Sequence, residues 1–125
     1  MTTYRLHSYW RSSASFRVRI ALAYKELAYE YVAVNIVKDG GEQNRPDYRA
    51  KNPMTQVPTL EVIDGGKSLY LAQSVAILEY LEETVAARPL LPKDAVARAR
   101  VRQFAEGVNA GIQPFQNVPV FAELS

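Results

Sequence analysis

Three short stretches of the chain carry residue types that could do chemistry. The first is Arg11-Ser12-Ser13-Ala14-Ser15, a cation and three hydroxyls just ahead of a segment with helical apolar spacing. A helix N-terminus exposes free backbone N–H groups and about half a positive charge. That arrangement suits an anion, and a thiolate is one. A serine hydroxyl donating to such a thiolate contributes roughly 1.5–3 kcal/mol, about one to two pKa units on the thiol. The same serines are good helix N-caps, and capping is the commoner use of such residues. Taken alone, the stretch leaves both roles open.

The second stretch is Asn52-Pro53-Met54-Thr55-Gln56-Val57-Pro58-Thr59-Leu60. Pro58 cannot donate to a strand ladder, so it belongs at the bend where a strand begins. The third is Gln73-Ser74, at the start of an amphipathic segment. Ser74 is read as a cap of that helix, whose N–H groups and hydroxyl could also take a carboxylate.

These sites need elements to position them. Tyr4 to Tyr9 reads as a first strand. Phe16 to Leu27 has helical apolar spacing at Phe16, Val18, Ile20, Ala21, Leu22 and Leu27. Tyr29 to Val34 is a second strand, parallel to the first because a helix separates them. Asn35 to Lys51 is a long polar loop, with one helical turn expected near Pro46 to Ala50. Val57 to Ile63 and Ser68 to Leu71 form a hairpin around Asp64-Gly65-Gly66-Lys67. Ser74 to Glu83 is a helix with Val75, Ile77, Leu78 and Leu81 on its apolar face. Arg88-Pro89-Leu90-Leu91-Pro92 reads as a linker, Asp94 as the cap of a helix from about Ala95 to Ala110, and Pro114 and Pro119 as breaks in the tail. The order β-α-β, loop, β-β-α is that of an α/β thioredoxin-like domain. Residues 1–86 are assigned to it, 87–93 to the linker and 94–125 to the start of an all-α domain. In such a fold the proline at the strand start is cis, and Val57 offers its backbone to a peptide-like ligand.

Composition narrows the function classes. The chain has 125 residues, a formal charge of +2, one histidine and no cysteine. The charge is too small to argue for nucleic acid or a membrane surface. A disulfide framework, a redox dithiol and a thiolate zinc site are excluded, and a histidine-based metal site has too few ligands. No apolar run reaches the ~20 residues that a membrane span needs. A cytoplasmic location is expected.

Together the motifs resemble the zeta-class glutathione transferases, the maleylacetoacetate isomerase family. The resemblance rests on Ser12 to Leu22, on Val37-Lys38-Asp39-Gly40-Gly41-Glu42-Gln43, on Asn52 to Leu60, and on Gln73 to Glu83. Gly111-Ile112-Gln113-Pro114-Phe115-Gln116-Asn117 is similar to a further stretch, on the first helix of that family's helical domain. Two positions depart from the pattern: Ala14 stands where many members have cysteine, and Pro119 where many have a small polar residue.

The resemblance implies that glutathione is the cofactor and a small maleyl carboxylic acid the substrate. Ser12 would activate the thiol, with Ser13 shaping the loop and Arg11 gripping a substrate carboxylate. Gln43, Val57, Pro58, Gln73 and Ser74 would hold glutathione, and Gln113 and Asn117 would contact the tripeptide or substrate. The reaction implied is cis–trans isomerisation: the thiolate adds to the double bond, the single bond rotates, and elimination restores the alkene as trans. A homodimer is implied as well. Members continue for roughly another hundred residues of helices, so the chain is expected to be truncated relative to them. The alternatives are a non-catalytic glutathione-binding or interaction module, or an inactive fragment lacking the substrate pocket.

Overall fold

The computed structural model describes residues 1–125. The chain divides into two compact units, Met1–Arg88 and Pro89–Ser125, each described by itself.

The first unit is built on a four-stranded sheet. Its strands are β1 (Thr3–Ser8), β2 (Glu30–Ala33), β3 (Thr59–Asp64) and β4 (Lys67–Ala72), in the order β2-β1-β3-β4. β1 and β2 run parallel, joined through helix α1 (Ser13–Tyr24), and β3 and β4 form an antiparallel hairpin. Helix α2 (Pro46–Lys51) precedes β3, and α3 (Ser74–Thr84) follows β4. This is the expected thioredoxin-like order. In the hairpin turn, Gly65 and Gly66 both take positive φ, which glycine adopts without steric cost.

Side chains alternate across the strands. Leu6 faces Leu60 in the register, and Val62 lies two residues on along the same face. With Val18, Ala21 and Leu22 of α1 and Ile77 and Leu81 of α3 they form the buried apolar core. Burying such a side chain contributes roughly 1.5–3 kcal/mol. α1 and α3 pack directly on each other.

The opposite face of the sheet holds a polar cluster. Arg5, His7, Glu61, Ser68 and Tyr70 share that face by register. Ser68 Oγ donates to Glu61 Oε1 at 2.6 Å, and His7 Nε2 lies 3.4 Å from Glu61 Oε2. Arg5 pairs with both Glu30 and Glu61. Burial pushes the His7 imidazole below its usual range, against the upward pull of its hydrogen bond to Glu61. For the Glu61 carboxyl, burial works upward. The hydrogen bonds from Ser68 and His7 and the charge of Arg5 outweigh it and hold the group below the usual carboxylate range.

α1 begins at Ser13 rather than Phe16, because Ser12 caps it. Phe16 and Ile20 are exposed, so the apolar face of α1 is the narrower one of Val18, Ala21 and Leu22. The far end of the α1–α3 pair is closed by Lys25, whose side chain is fully buried. Its Nζ donates to the carbonyls of Val85 (2.8 Å), Ala87 and Arg88 (3.3 Å each) and pairs with Glu82 at 3.3 Å. A cation is thereby placed where helix α3 ends in unsatisfied carbonyls.

The long loop before α2 is more ordered than its polar sequence implies. It contains two single 3₁₀ turns, Lys38–Gly40 and Glu42–Asn44. Asn35 Oδ1 accepts from the N–H groups of Val37 and Lys38, an Asx turn that organises the first of them.

In the second unit, α4 (Ala95–Gly111) is capped by Asp94, whose Oδ2 accepts from the Ala97 N–H at 2.8 Å. A 3₁₀ turn at Gln113–Gln116 and helix α5 (Val118–Leu124) follow. Pro119 therefore does not break the tail. It sits in the first turn of α5, where the N–H that proline lacks would have no intrahelical acceptor. No helix of the chain is long and apolar enough to cross a membrane.

Candidate functional site

The sheet register brings the three chemically suggestive stretches to one end. β1 runs out at Ser8 and leads into Arg11–Ser15. His7 pairs with Thr59, the first residue of β3, so Val57-Pro58 arrives beside the exit of β1. Thr59 also pairs with Ala72, the last residue of β4, so Gln73-Ser74 leaves from the same edge. Two side-chain contacts confirm the convergence. Gln73 Nε2 donates to Gln56 Oε1 at 3.4 Å, and Arg17 Nη1 of α1 donates to Ser74 Oγ at 3.1 Å.

Ser12 is the N-cap of α1. Its backbone is extended, and its Oγ accepts from the Ser15 N–H at 3.1 Å. A hydroxyl has one proton and two acceptor lone pairs. Capping uses only the acceptor side, and the Ser12 proton has no acceptor within the chain. Capping therefore leaves the hydroxyl proton of Ser12 available. The N–H groups of Ser13 and Ala14, at the first two helical positions, have no intrahelical acceptor either. Ser12 is half-buried, while Ser13 and Arg11 are exposed. The Arg11 guanidinium lies 5.5 Å from the centre of the Trp10 ring, in cation–π range.

The Val57-Pro58 peptide bond is cis. Val57 lies two residues ahead of the first ladder pair, so sheet pairing does not use its backbone. A buried network fixes how that backbone is presented. Tyr48 Oη donates to the Gln56 carbonyl, which also accepts from Asn52 Nδ2 at 2.9 Å. Asn52 Nδ2 further reaches Thr59 Oγ1 at 3.1 Å, and Thr59 Oγ1 lies 2.7 Å from Tyr48 Oη. Asn52 Oδ1 accepts from the Met54 N–H. In a planar trans peptide the C=O and the following N–H point opposite ways. With the Gln56 carbonyl held inward by two donors, the Val57 N–H is turned away from the network.

Gln73 occupies the cap position of α3 with φ 71° and ψ 117°, and no side chain caps the helix. A non-glycine residue there costs on the order of 1–3 kcal/mol, and such outliers cluster at ligand sites. Ser74 is therefore the first helical residue rather than the cap, a correction to the sequence reading. The residue is buried, at 5% exposure. Gln73, with its positive φ, is the single residue between β4 and α3 and so takes the cap position.

The remaining expected residues are placed differently. Gln43 Nε2 donates to the Ile36 carbonyl at 3.2 Å, and its Oε1 is buried without a partner. Its amide is thus turned into its own loop. Gln113 and Asn117 belong to the second unit, where Gln113 Nε2 donates to Asn117 Oδ1 at 2.8 Å. Arg17, Tyr48 and Gln56 escaped the sequence reading as site residues. Tyr48 and Gln56 were legible only through the network above, and Arg17 only through a contact spanning 57 positions.

Comparison with known proteins identifies the family. The family "Glutathione S-transferase, N-terminal domain" matches residues 2–83. The chain is 53% identical over 115 residues to maleylacetoacetate isomerase of Dictyostelium discoideum, covering 92% of this chain and 51% of that protein. It is 50% identical over 119 residues to the Rattus norvegicus maleylacetoacetate isomerase, covering 95% and 53%. Among solved structures, maleylacetoacetate isomerase from Anaeromyxobacter dehalogenans, with glutathione bound in its active site, superposes with a TM-score of 0.86. It is 53% identical, and the match covers 98% of this chain and 56% of that one. A maleyl pyruvate isomerase described as a bacterial zeta-class glutathione S-transferase superposes with a TM-score of 0.86 at 41% identity. The chain spans about half the length of the curated relatives it matches. Through residues 2–83, with the cis-proline, the capped first helix and the strained Gln73, the chain belongs to the glutathione S-transferase family.

Proposed function

We propose that this chain binds glutathione and takes part in glutathione-dependent cis–trans isomerisation of a small maleyl acid. The observation that carries the reading is Ser12. Its oxygen is committed to capping α1, its proton is uncommitted, and the free N–H groups of Ser13 and Ala14 lie beside it. The residues fit a γ-glutamyl tripeptide. The Val57 peptide is turned outward for its backbone, and Gln73-Ser74 opens a helix toward a carboxylate. Bound glutathione would supply the thiol whose reversible addition permits rotation about the substrate's double bond.

The chain's own residues have separate tasks. The Ser12 hydroxyl donates to the sulfur and lowers its pKa, helped by the positive end of α1. Ser13 contributes its N–H to the same turn. Val57, held by its cis bond to Pro58, pairs with the tripeptide backbone. Arg11, exposed beside Ser12, takes the carboxylate of the substrate. Gln113 and Asn117 are proposed, by the family resemblance alone, as contacts to tripeptide or substrate. Gln43 braces the Ile36–Gln43 loop, and a direct contact with glutathione requires its amide to turn outward. A cytoplasmic location and a homodimer complete the reading. Exposed Phe104, Phe115 and Phe121 support association.

The test is glutathione-dependent isomerisation of maleylacetone or maleylpyruvate by the purified chain. Turnover that is lost in Ser12→Ala supports the reading. Glutathione binding without turnover in the unaltered chain selects the non-catalytic binding module. Absence of glutathione binding leaves the inactive fragment.

A further inference from the structure

The chain enters α1 through the turn Tyr9-Trp10-Arg11-Ser12, closed by the Ser12 N–H donating to the Tyr9 carbonyl at 3.0 Å. That bond leaves the middle peptide of the turn, between Trp10 and Arg11, free to rock or flip. Arg11 keeps a negative φ, which excludes the type II form, where this peptide is inverted. One side chain holds the peptide in place: Arg19 of α1 donates from Nη2 to the Trp10 carbonyl at 3.0 Å. The Arg19 guanidinium is itself seated over the Phe16 ring, one helical turn back and 5.2 Å from the ring centre. Ser12 does not depend on this brace. Its N–H is bonded to Tyr9, its carbonyl accepts from the Phe16 N–H at 2.9 Å, and its Oγ caps the helix. Inverting the middle peptide would break the Arg19 bond and redirect Arg11 while leaving Ser12 where it is.

We propose that Arg19 is a positioning residue for Arg11: by fixing the Trp10 carbonyl it aims the Arg11 guanidinium and so sets the preference for substrates that carry a carboxylate. The proposal rests on the glutathione reading above, with Arg11 as the carboxylate grip, and adds the residue that orients the grip. Arg11 follows the middle peptide of the turn, so the plane of that peptide sets the direction in which its side chain leaves the backbone. The guanidinium then lies 5.5 Å from the centre of the Trp10 ring, a contact that the same peptide orientation maintains. A guanidinium grips a carboxylate through two parallel N–H bonds, whose geometry tolerates little misdirection. Thiol activation belongs to Ser12 and is independent of Arg19.

The test compares two ligands by calorimetry. One is S-(1,2-dicarboxyethyl)glutathione, the adduct of the thiol with a four-carbon unsaturated diacid. The other is S-ethylglutathione, the same tripeptide without the added carboxylates. The unaltered chain is expected to prefer the first. Arg19→Gln is expected to lower that preference roughly five- to tenfold, the range of one hydrogen bond, and to leave S-ethylglutathione binding unchanged. Arg19→Lys, which keeps a cationic donor on a long stem, is expected to restore part of the preference. In an Arg11→Ala background the Arg19→Gln change is expected to add little, since Arg19 acts through Arg11. Trp10 is the chain's one tryptophan and is 67% exposed, so its fluorescence anisotropy reports the turn directly and should fall in Arg19→Gln. A merely structural Arg19 would weaken both ligands alike, and an Arg19 that touches the carboxylate itself would add fully to Arg11→Ala. Either result, or an unchanged preference or anisotropy in Arg19→Gln, overturns the proposal while the glutathione reading stands. No preference in the unaltered chain, or one that Arg11→Ala leaves intact, overturns the Arg11 assignment and the proposal together. Failure of the unaltered, folded chain to bind either ligand overturns the glutathione reading as well. Thermal unfolding of each variant establishes that the chain is folded before its affinity is read.

Discussion

Removing one oxygen from Tyr48 tests how the ligand-facing peptide is held. Tyr48 is 4% exposed, and its hydroxyl sits between the Gln56 carbonyl and Thr59 Oγ1. In Tyr48→Phe the ring still fills its space, so no cavity opens. The Gln56 carbonyl keeps Asn52 Nδ2 at 2.9 Å, so that acceptor is not orphaned. Thr59 Oγ1 keeps its Asn52 donor at 3.1 Å but loses the acceptor for its own proton. One net hydrogen bond of about 1 kcal/mol is lost, and one buried donor is left at a cost of roughly 1–3 kcal/mol, part of which a rotated hydroxyl recovers. The expected destabilisation is about 2 kcal/mol, read as a shift of the urea midpoint with unchanged m-value. The Gln56–Val57 peptide is then fixed by one donor instead of two, and glutathione affinity should fall severalfold. Wild-type stability together with wild-type glutathione affinity would refute the argument that this network presents the Val57 N–H.

Three further outcomes are expected. Lys25→Met leaves Glu82 and three carbonyls without their buried cation, and should lower stability by about 3 kcal/mol in urea unfolding. Asp94→Ala removes the cap of α4 and should lower the helical signal of the second unit, at a cost of about 1 kcal/mol. Acid should destabilise the chain in two stages. His7 and Glu61 both titrate below their ordinary values of 6.5 and 4.5, so the unfolded chain binds more protons and stability falls as pH drops. The His7 contribution is lost from about pH 6.5 downward and that of Glu61 from about pH 4.5 downward. His7→Gln should flatten the first stage, and an unchanged slope between pH 7 and 5 would contradict the assignment.

The sequence disclosed those features that local pattern controls. Alternation along β1 and β3, helical spacing in α3, and Asp64-Gly65-Gly66-Lys67 as a turn all correspond to observed elements. Asp94 was legible as a cap because an aspartate ahead of a periodic segment has few other uses. Boundaries failed where two signals compete. The apolar period of α1 starts at Phe16, but the helix starts at its cap, and Phe16 and Ile20 proved to be exposed because period alone does not say which face meets the sheet. Pro119 reads as a breaker out of context, yet it occupies the one helical turn that tolerates it. At the site, Ser12, Val57-Pro58 and Gln73-Ser74 were legible as motifs. The Arg17–Ser74 and Lys25–Val85 contacts were not, because they join residues 57 and 60 positions apart that only the packing of α1 on α3 brings together.

The central claim is that the Ser12 proton is available to a thiolate. It is tested most directly by the pKa of the thiol of bound glutathione, followed through its ultraviolet thiolate absorbance in the unaltered chain and in Ser12→Ala. The account predicts a bound thiol roughly one to two units more acidic than free glutathione, with most of that shift lost in Ser12→Ala while the tripeptide still binds. A bound thiol that titrates alike in both proteins would mean that Ser12 only caps α1.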